Sequence, residues 1–149
     1  MKYFLYFSLT GNGDYLASLM EEKGYTPVKV EMEKKPKKVG FFTILNYGGR
    51  AMFKMKEKIQ ELKLELKDED EVVIGTPIWN DRLSTPILTV LDQYSFNKET
   101  TRFIFYPAGE STTKAYKQIL KMGFQKGGVT ISYPLKKKEE AERIIKDTF

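Results

Sequence analysis

Residues 8–13, Ser-Leu-Thr-Gly-Asn-Gly, follow directly on the apolar run KYFLYF and gather two hydroxyls, a carboxamide and two glycines at one point of the chain. A turn needs only one glycine or one asparagine. This stretch offers Ser8, Thr10 and Asn12 as well, and, at Gly11 and Gly13, backbone amides that no side chain covers. Such a set can hold an anion by dipoles alone, above all a phosphate at the start of a helix, where unpaired N–H groups point outward. No Lys or Arg occurs between residues 3 and 22, which agrees with a phosphate held without cations. The plainer reading of the same residues is a strand-to-helix turn capped by Thr10 or Asn12.

Two further stretches carry chemistry of the same kind. TPIWND (76–81) contains Trp79, the only tryptophan, outside any amphipathic stripe; YPAGES (106–111) contains Pro107, Ala108 and Gly109, small enough for a flat ring to lie against the backbone. Trp79 taken alone reads equally well as an anchor that packs its loop onto a sheet. Cysteine and histidine are absent altogether, which removes disulfides, thiolate nucleophiles, Cys/His zinc sites and imidazole-based hydrolytic triads. A chain so poor in reactive side chains either binds without reacting or borrows its chemistry from a cofactor.

The elements that must position these stretches follow from periodicity. Near-continuous apolar runs at 2–8, 70–76, 101–107 and 128–134 predict strands covered on both faces, and the alternating PVKVEME (27–33) predicts a more exposed edge strand. Between them, residues 12–23 predict a helix that buries Leu16, Leu19 and Met20 and is closed by Gly24. Ser84, Thr85 and Pro86 open a helix with the stripe Ile87, Val90, Leu91 and Tyr94. Ser111 caps one that buries Ala115, Ile119 and Met122, and a last helix presents Ala141, Ile144, Ile145 and Thr148. The segment 41–62 reads as a helix broken at Gly48-Gly49, and PIWNDRLST (77–85) as a loop. Five strands separated by helices, without hairpin signals, predict a three-layer, doubly wound α/β domain spanning residues 1–149. In such a sheet the ligand crevice lies beyond the carboxyl ends of the strands, where the three stretches must meet.

With these residues in place, the chain resembles the flavodoxin family, in particular its short members. The likeness rests on SLTGNG after the first strand, on YGGRAMFKMK (47–56), and most specifically on IGTPIWNDRLSTPILTVLD (74–92). The resemblance implies a five-stranded parallel sheet in the order 2-1-3-4-5 and FMN bound without a metal. It places the phosphate on Ser8, Thr10, Gly11, Asn12 and Gly13, and the isoalloxazine between Pro77, Ile78, Trp79 and Asn80 on one side and Pro107, Ala108 and Gly109 on the other. It also implies a redox partner protein or a small-molecule electron acceptor. Three departures stand out. The family's loop usually ends in a threonine where this chain has Gly13. A glycine common after the tryptophan is replaced by Asn80 and Asp81, of which Asn tolerates a left-handed backbone. Asp81 and Glu110 add carboxylates beside the ring's expected place, disfavouring an anionic reduced flavin.

The net charge of +5 comes mostly from lysines in EKKPKK (33–38) and LKKKEEAER (135–143). Acidic residues interleave with them and no recognition motif accompanies them, so a solvated surface is expected and nucleic acid is not. No apolar stretch approaches the roughly 18 residues of a membrane span, which makes the cytoplasm the expected address. Leu16 stands where a dinucleotide fingerprint needs Gly or Ala, and no GKS or GKT completes a P-loop. A receiver domain is also excluded, because the first strand ends in Phe7 and Ser8 without the acidic cluster. Two readings from other classes stay open: a flavodoxin-fold module without FMN that binds another ligand or protein, and a basic protein that contacts an acidic partner.

Overall fold

The computed structural model describes residues 1–36, 40–52 and 56–149. The chain runs β1 (Lys2–Tyr6), α1 (Asn12–Glu22), β2 (Thr26–Lys29), α2 (Phe41–Met52), β3 (Glu71–Trp79), β4 (Arg82–Leu83), α3 (Thr85–Gln93), β5 (Arg102–Tyr106), α4 (Thr113–Lys121), β6 (Gly128–Thr130) and α5 (Lys138–Thr148). Five strands pair in parallel in the spatial order β2-β1-β3-β5-β6, with the short β4 pairing off this path with β3. Counting only the parallel strands, this is the order 2-1-3-4-5.

Side-chain alternation sorts the core into two layers, because successive residues of a strand face opposite sides. Phe4, Tyr6, Val73, Ile104 and Tyr106 pack with Leu16, Leu19 and Met20 of α1 and with Ala141 and Ile145 of α5. Leu5, Val72, Ile74, Phe103 and Phe105 face the other way, onto Ile87 and Val90 of α3, Ala115 and Ile119 of α4, and Tyr47 of α2. Both faces of the central strands are therefore apolar, and that is why these strands read as continuous hydrophobic runs. Gly24 closes α1 with φ 82°, its N–H donating to Glu21 O.

Away from the three loops, the structure departs from the sequence reading in three main places. First, α2 runs unbroken through Gly48-Gly49. Each glycine costs a helix only about 1 kcal/mol relative to alanine, and burial of Tyr47 against Trp79, ring centroids 4.9 Å apart, holds the segment. Second, residues 56–62 continue no helix. Met32 and Ile59 form an antiparallel bridge, with Gln60 N donating to Glu31 O and Glu33 N to Lys58 O. The overlooked signal is the period-two alternation of Leu62, Leu64 and Leu66, all packed on the core. Third, Met122 is 37% exposed, because α4 turns its buried face through Ala115 and Ile119 and ends one residue before Met122. Lys37, Lys38 and Val39 of the lysine-rich stretch, and positions 53–55 of YGGRAMFKMK, lie outside the described residues.

At the opposite end of the sheet from the three loops, the buried Asp70 carboxylate accepts bonds from Lys67 N (2.8 Å) and from the Met1 amino group (2.9 Å). The Lys67 amide, followed by that ammonium, holds the Asp70 pKa below its ordinary value. A carboxylate with a depressed folded pKa stabilises the fold above its unfolded pKa, and the contribution disappears as pH falls through the folded value. Asp70→Asn is therefore expected to lower stability at neutral pH and to flatten the acid limb below about pH 4. Urea midpoints measured across that range check it; parallel acid limbs in parent and variant would contradict it.

Candidate functional site

The three stretches meet at one edge of the sheet. Ser8, Leu9, Thr10 and Asn12 from the β1–α1 connection, Pro77, Ile78 and Trp79 from the end of β3, and Tyr106, Ala108 and Glu110 after β5 line one narrow cleft of ≈ 70 Å³. A larger hollow of ≈ 410 Å³ between α3 and α4, lined by Leu88, Leu91 and Met122 among others, includes no residue of the three loops. The polar groups of the three loops converge instead in the smaller cleft.

At the loop end of the cleft the backbone does the work. Gly11 N and Gly13 N each donate to Ser8 Oγ at 3.2 Å, and Asp14 N donates to it at 3.3 Å. Three N–H groups at the start of α1 thus converge on a single oxygen, the arrangement an anion needs. Gly11 reaches it with φ 91°, a left-handed conformation. Asn12 Nδ2 donates to the exposed Thr10 Oγ1 (3.4 Å), while Asn12 Oδ1 accepts from Leu135 N (3.2 Å), tying the loop to the segment before α5. The carboxylate of Asp14 would repel an anion here, but Lys29 Nζ lies 2.7 Å from it, and Tyr6 donates its phenol proton to it. Burial, with Asp14 second, pushes the Tyr6 pKa up to about 12, so that phenol stays a donor.

Trp79 ends β3 instead of sitting in a loop, and is 7% exposed. Its ring meets Phe7 edge-on at 5.6 Å and Tyr47 at 4.9 Å. It is thus a core anchor and a cleft wall at once. The expected loop 77–85 is a hairpin: Asn80 (φ 51°) and Asp81 (φ 64°) turn the chain, and Arg82–Leu83 pair back on Ile78–Trp79. A two-residue hairpin with both central residues left-handed is the turn Asn and Asp tolerate best, so the signal lay in Asn80-Asp81. Asp81 does not face the cleft. Its carboxylate accepts from Lys114 N (3.3 Å) and its carbonyl from Ala115 N (2.8 Å), so it closes the first turn of α4 together with Ser111 Oγ, which accepts from Thr113 N.

The third wall is held from behind. Tyr133 OH donates to Ala108 O (2.7 Å), and Gly109 takes φ 92° where an added Cβ would stand 2.7 Å from that hydroxyl. Glu110 is in the cleft, its carboxylate accepting from Ala108 N. Of the residues singled out in the sequence, Ser8, Thr10, Asn12, Pro77, Ile78, Trp79 and Ala108 line the cleft; Gly11 and Gly13 stand behind it through their amides, and Asn80, Pro107 and Gly109 shape the turns without lining it. Leu9 and Tyr106 also line the cleft without being named as site residues from the sequence: Leu9 is a lone apolar side chain among polar neighbours, and Tyr106 ends an apolar strand.

The architecture decides what this chain is similar to. A flavoprotein from Lactobacillus acidophilus NCFM, solved in complex with FMN, superposes with a TM-score of 0.63 at 24% identity, over 88% of this chain and 89% of its own. This is the flavodoxin fold. A flavodoxin from the domain Archaea gives a TM-score of 0.52 at 13% identity, over 99% and 95% of the two chains. A provisionally named flavoprotein from Bacteroides eggerthii DSM 20697 gives 0.69 at 19%, over 98% and 93%. No family model and no curated protein matches the sequence. Among the described residues of this flavodoxin-fold chain no carboxylate group is arranged to hold a metal ion, and no helix is long and apolar enough to cross a membrane.

Proposed function

We propose that this flavodoxin-fold chain binds FMN and serves as an electron-transfer protein or small flavin-dependent reductase, exchanging electrons with a redox partner protein or a small-molecule acceptor. One observation carries the reading: three amides, of Gly11, Gly13 and Asp14, converge within 3.3 Å on one oxygen at the end of a cleft walled by Trp79 and Ala108. The FMN-bound Lactobacillus neighbour of the same fold supports it.

The residues fit the phosphate end of the group well. Ser8 Oγ already collects the donors a phosphate oxygen would use, and the exposed Thr10 hydroxyl adds another. The ring end is tighter. Ligand pockets commonly run from about 300 Å³ upward, and this cleft encloses ≈ 70 Å³. A tricyclic ring would require the exposed segment 108–110 to move outward, since the opposite wall, Trp79, is fixed in the core. When bound, FMN would supply the redox chemistry; Trp79, Pro77 and Ile78 would exclude water from one face, and the Ala108 amide would serve as a donor to the ring's edge once released from the Glu110 carboxylate.

Glu110 opposes that binding, since it places a negative charge in the cleft and occupies the Ala108 amide. Glu110→Gln is expected to raise FMN affinity by about two- to fivefold at low salt, with the gain shrinking as salt screens the exposed carboxylate. Fluorescence titrations at two ionic strengths read this directly; an unchanged or weaker affinity places Glu110 outside the site.

The narrowness of the cleft and Glu110 within it favour a second reading, a flavodoxin-fold module that binds another phosphorylated ligand or a protein. Absorption of the freshly purified protein and quenching of added FMN fluorescence separate the two. A yellow protein, or apo protein that quenches FMN, supports the flavin reading. Colourless protein that leaves excess FMN fully fluorescent refutes it.

A further inference from the structure

Behind the β1–α1 loop stands a buried phenol whose hydroxyl faces away from solvent. Tyr106, the last residue of β5, is wholly buried, and its hydroxyl donates to the carbonyl of Phe7, the residue between β1 and Ser8. Phe7 is held from the other side, its N–H donating to Gly75 O of β3 at 3.2 Å. The peptide that launches the loop is therefore clamped between two neighbouring segments. Position 13 packs on the same spot: a Cβ added to Gly13 would stand 2.8 Å from Phe7 O, 2.8 Å from Tyr106 OH and 2.9 Å from Ser8 Cβ. The space a side chain at 13 would take is filled by the tyrosine hydroxyl and the carbonyl it binds. Ser8, whose Oγ collects the three amides, is the next residue along.

Resting on the FMN reading, we propose that Tyr106 is a positioning residue for phosphate: its hydroxyl, by fixing the Phe7 carbonyl beneath Gly13, sets the direction in which the Gly11, Gly13 and Asp14 amides point. Without that bond a buried carbonyl loses its partner, and the relief open to it is rotation of the Phe7–Ser8 peptide, which carries Ser8 and the loop with it. Tyr106 also lines the cleft, but its hydroxyl is engaged with Phe7 O, so removal of that group alone acts through the loop.

The test is Tyr106→Phe, which keeps the ring and its packing and removes only the hydroxyl. FMN and riboflavin, which lacks the phosphate, are titrated by fluorescence, and amide hydrogen exchange is followed by NMR in flavin-free protein. FMN affinity is expected to fall about tenfold with riboflavin affinity unchanged, and the Gly11, Gly13 and Asp14 amides to exchange about tenfold faster, while the β3 and β5 amides keep their protection. A merely structural tyrosine would speed exchange throughout and weaken both flavins alike; that result, or an unchanged FMN-to-riboflavin ratio, overturns the proposal. If the parent binds no FMN, the flavin reading falls, and the exchange rates alone then decide: loop-specific acceleration supports the positioning role, and uniform or absent acceleration overturns it. Should Tyr106→Phe fail to fold, Tyr106→Leu paired with Phe105→Leu as a packing control gives the same comparison, with the loop-specific effect expected only at position 106.

Discussion

Trp79→Ala is expected to lower stability by about 3–5 kcal/mol, the range for a large aromatic cut from a packed interior, and to weaken FMN binding in the protein that still folds. Both effects come from one placement. The indole is nearly buried, gripped between Phe7, which follows β1, and Tyr47 of α2, and its remaining surface forms the wall of the cleft. Removing it empties the junction where β3, α2 and the β1–α1 connection meet. Tyr94→Ala is the control. Tyr94 is only half-buried, its hydroxyl accepts from Leu62 N at 3.0 Å, and it lines no part of the cleft. It should therefore lose stability and keep the flavin affinity of the folded fraction. Urea unfolding of flavin-free protein gives the first quantity and fluorescence titration the second. Equal FMN affinities in Trp79→Ala and the parent would remove Trp79 from the site while leaving its role in the core intact.

Gly13→Ala carries the second large effect. The added methyl meets the Phe7 carbonyl, the buried Tyr106 hydroxyl and Ser8 Cβ, all within 2.9 Å, and none is the free end of a flexible chain. The start of α1 must then move away from Phe7, and its amides lose their aim. Losing one hydrogen bond to a charged phosphate costs about 1.5–3 kcal/mol, a factor of roughly 10 to 150 in affinity. FMN affinity should drop by that factor, and riboflavin affinity much less. Thr10→Ala, which removes an exposed hydroxyl without moving backbone, should give a smaller loss. If Gly13→Ala binds FMN as the parent does, the amides of this loop do not hold the phosphate.

The same steric facts give a reason for a departure from the flavodoxin pattern. A threonine at position 13 has no room here, since Tyr106 reaches under the loop and occupies its place. Asn80 and Asp81, the other departure, take the left-handed backbone that the family's glycine would supply. Asp81 was expected near the ring and is instead bonded to the first turn of α4.

How much of this was readable beforehand follows from the range over which each feature is decided. The strands, their parallel arrangement and the gathering of hydrogen-bonding groups at Ser8–Gly13 are legible because burial on both faces, helix periodicity and a loop's donors are written in consecutive residues. The hairpin at Asn80-Asp81 is legible in two residues that tolerate a left-handed backbone, but the strand's extension to Trp79 shows only in that residue's burial. The extended run at 56–62 was missed because helix-forming residues dominate it locally, and the pairing of Ile59 with Met32 overrides them.

What only the tertiary structure decided are the contacts between residues far apart in the chain. Tyr106 meets Phe7 across 99 positions, Asn12 meets Leu135 across 123, and Asp81 reaches Lys114 across 33. No local pattern encodes such pairings, because each depends on how the sheet brings strand ends together and on which small residue leaves space there. The width of the cleft belongs to the same class: the sequence named its walls, and packing of Trp79 on Phe7 and Tyr47 set how far apart they stand.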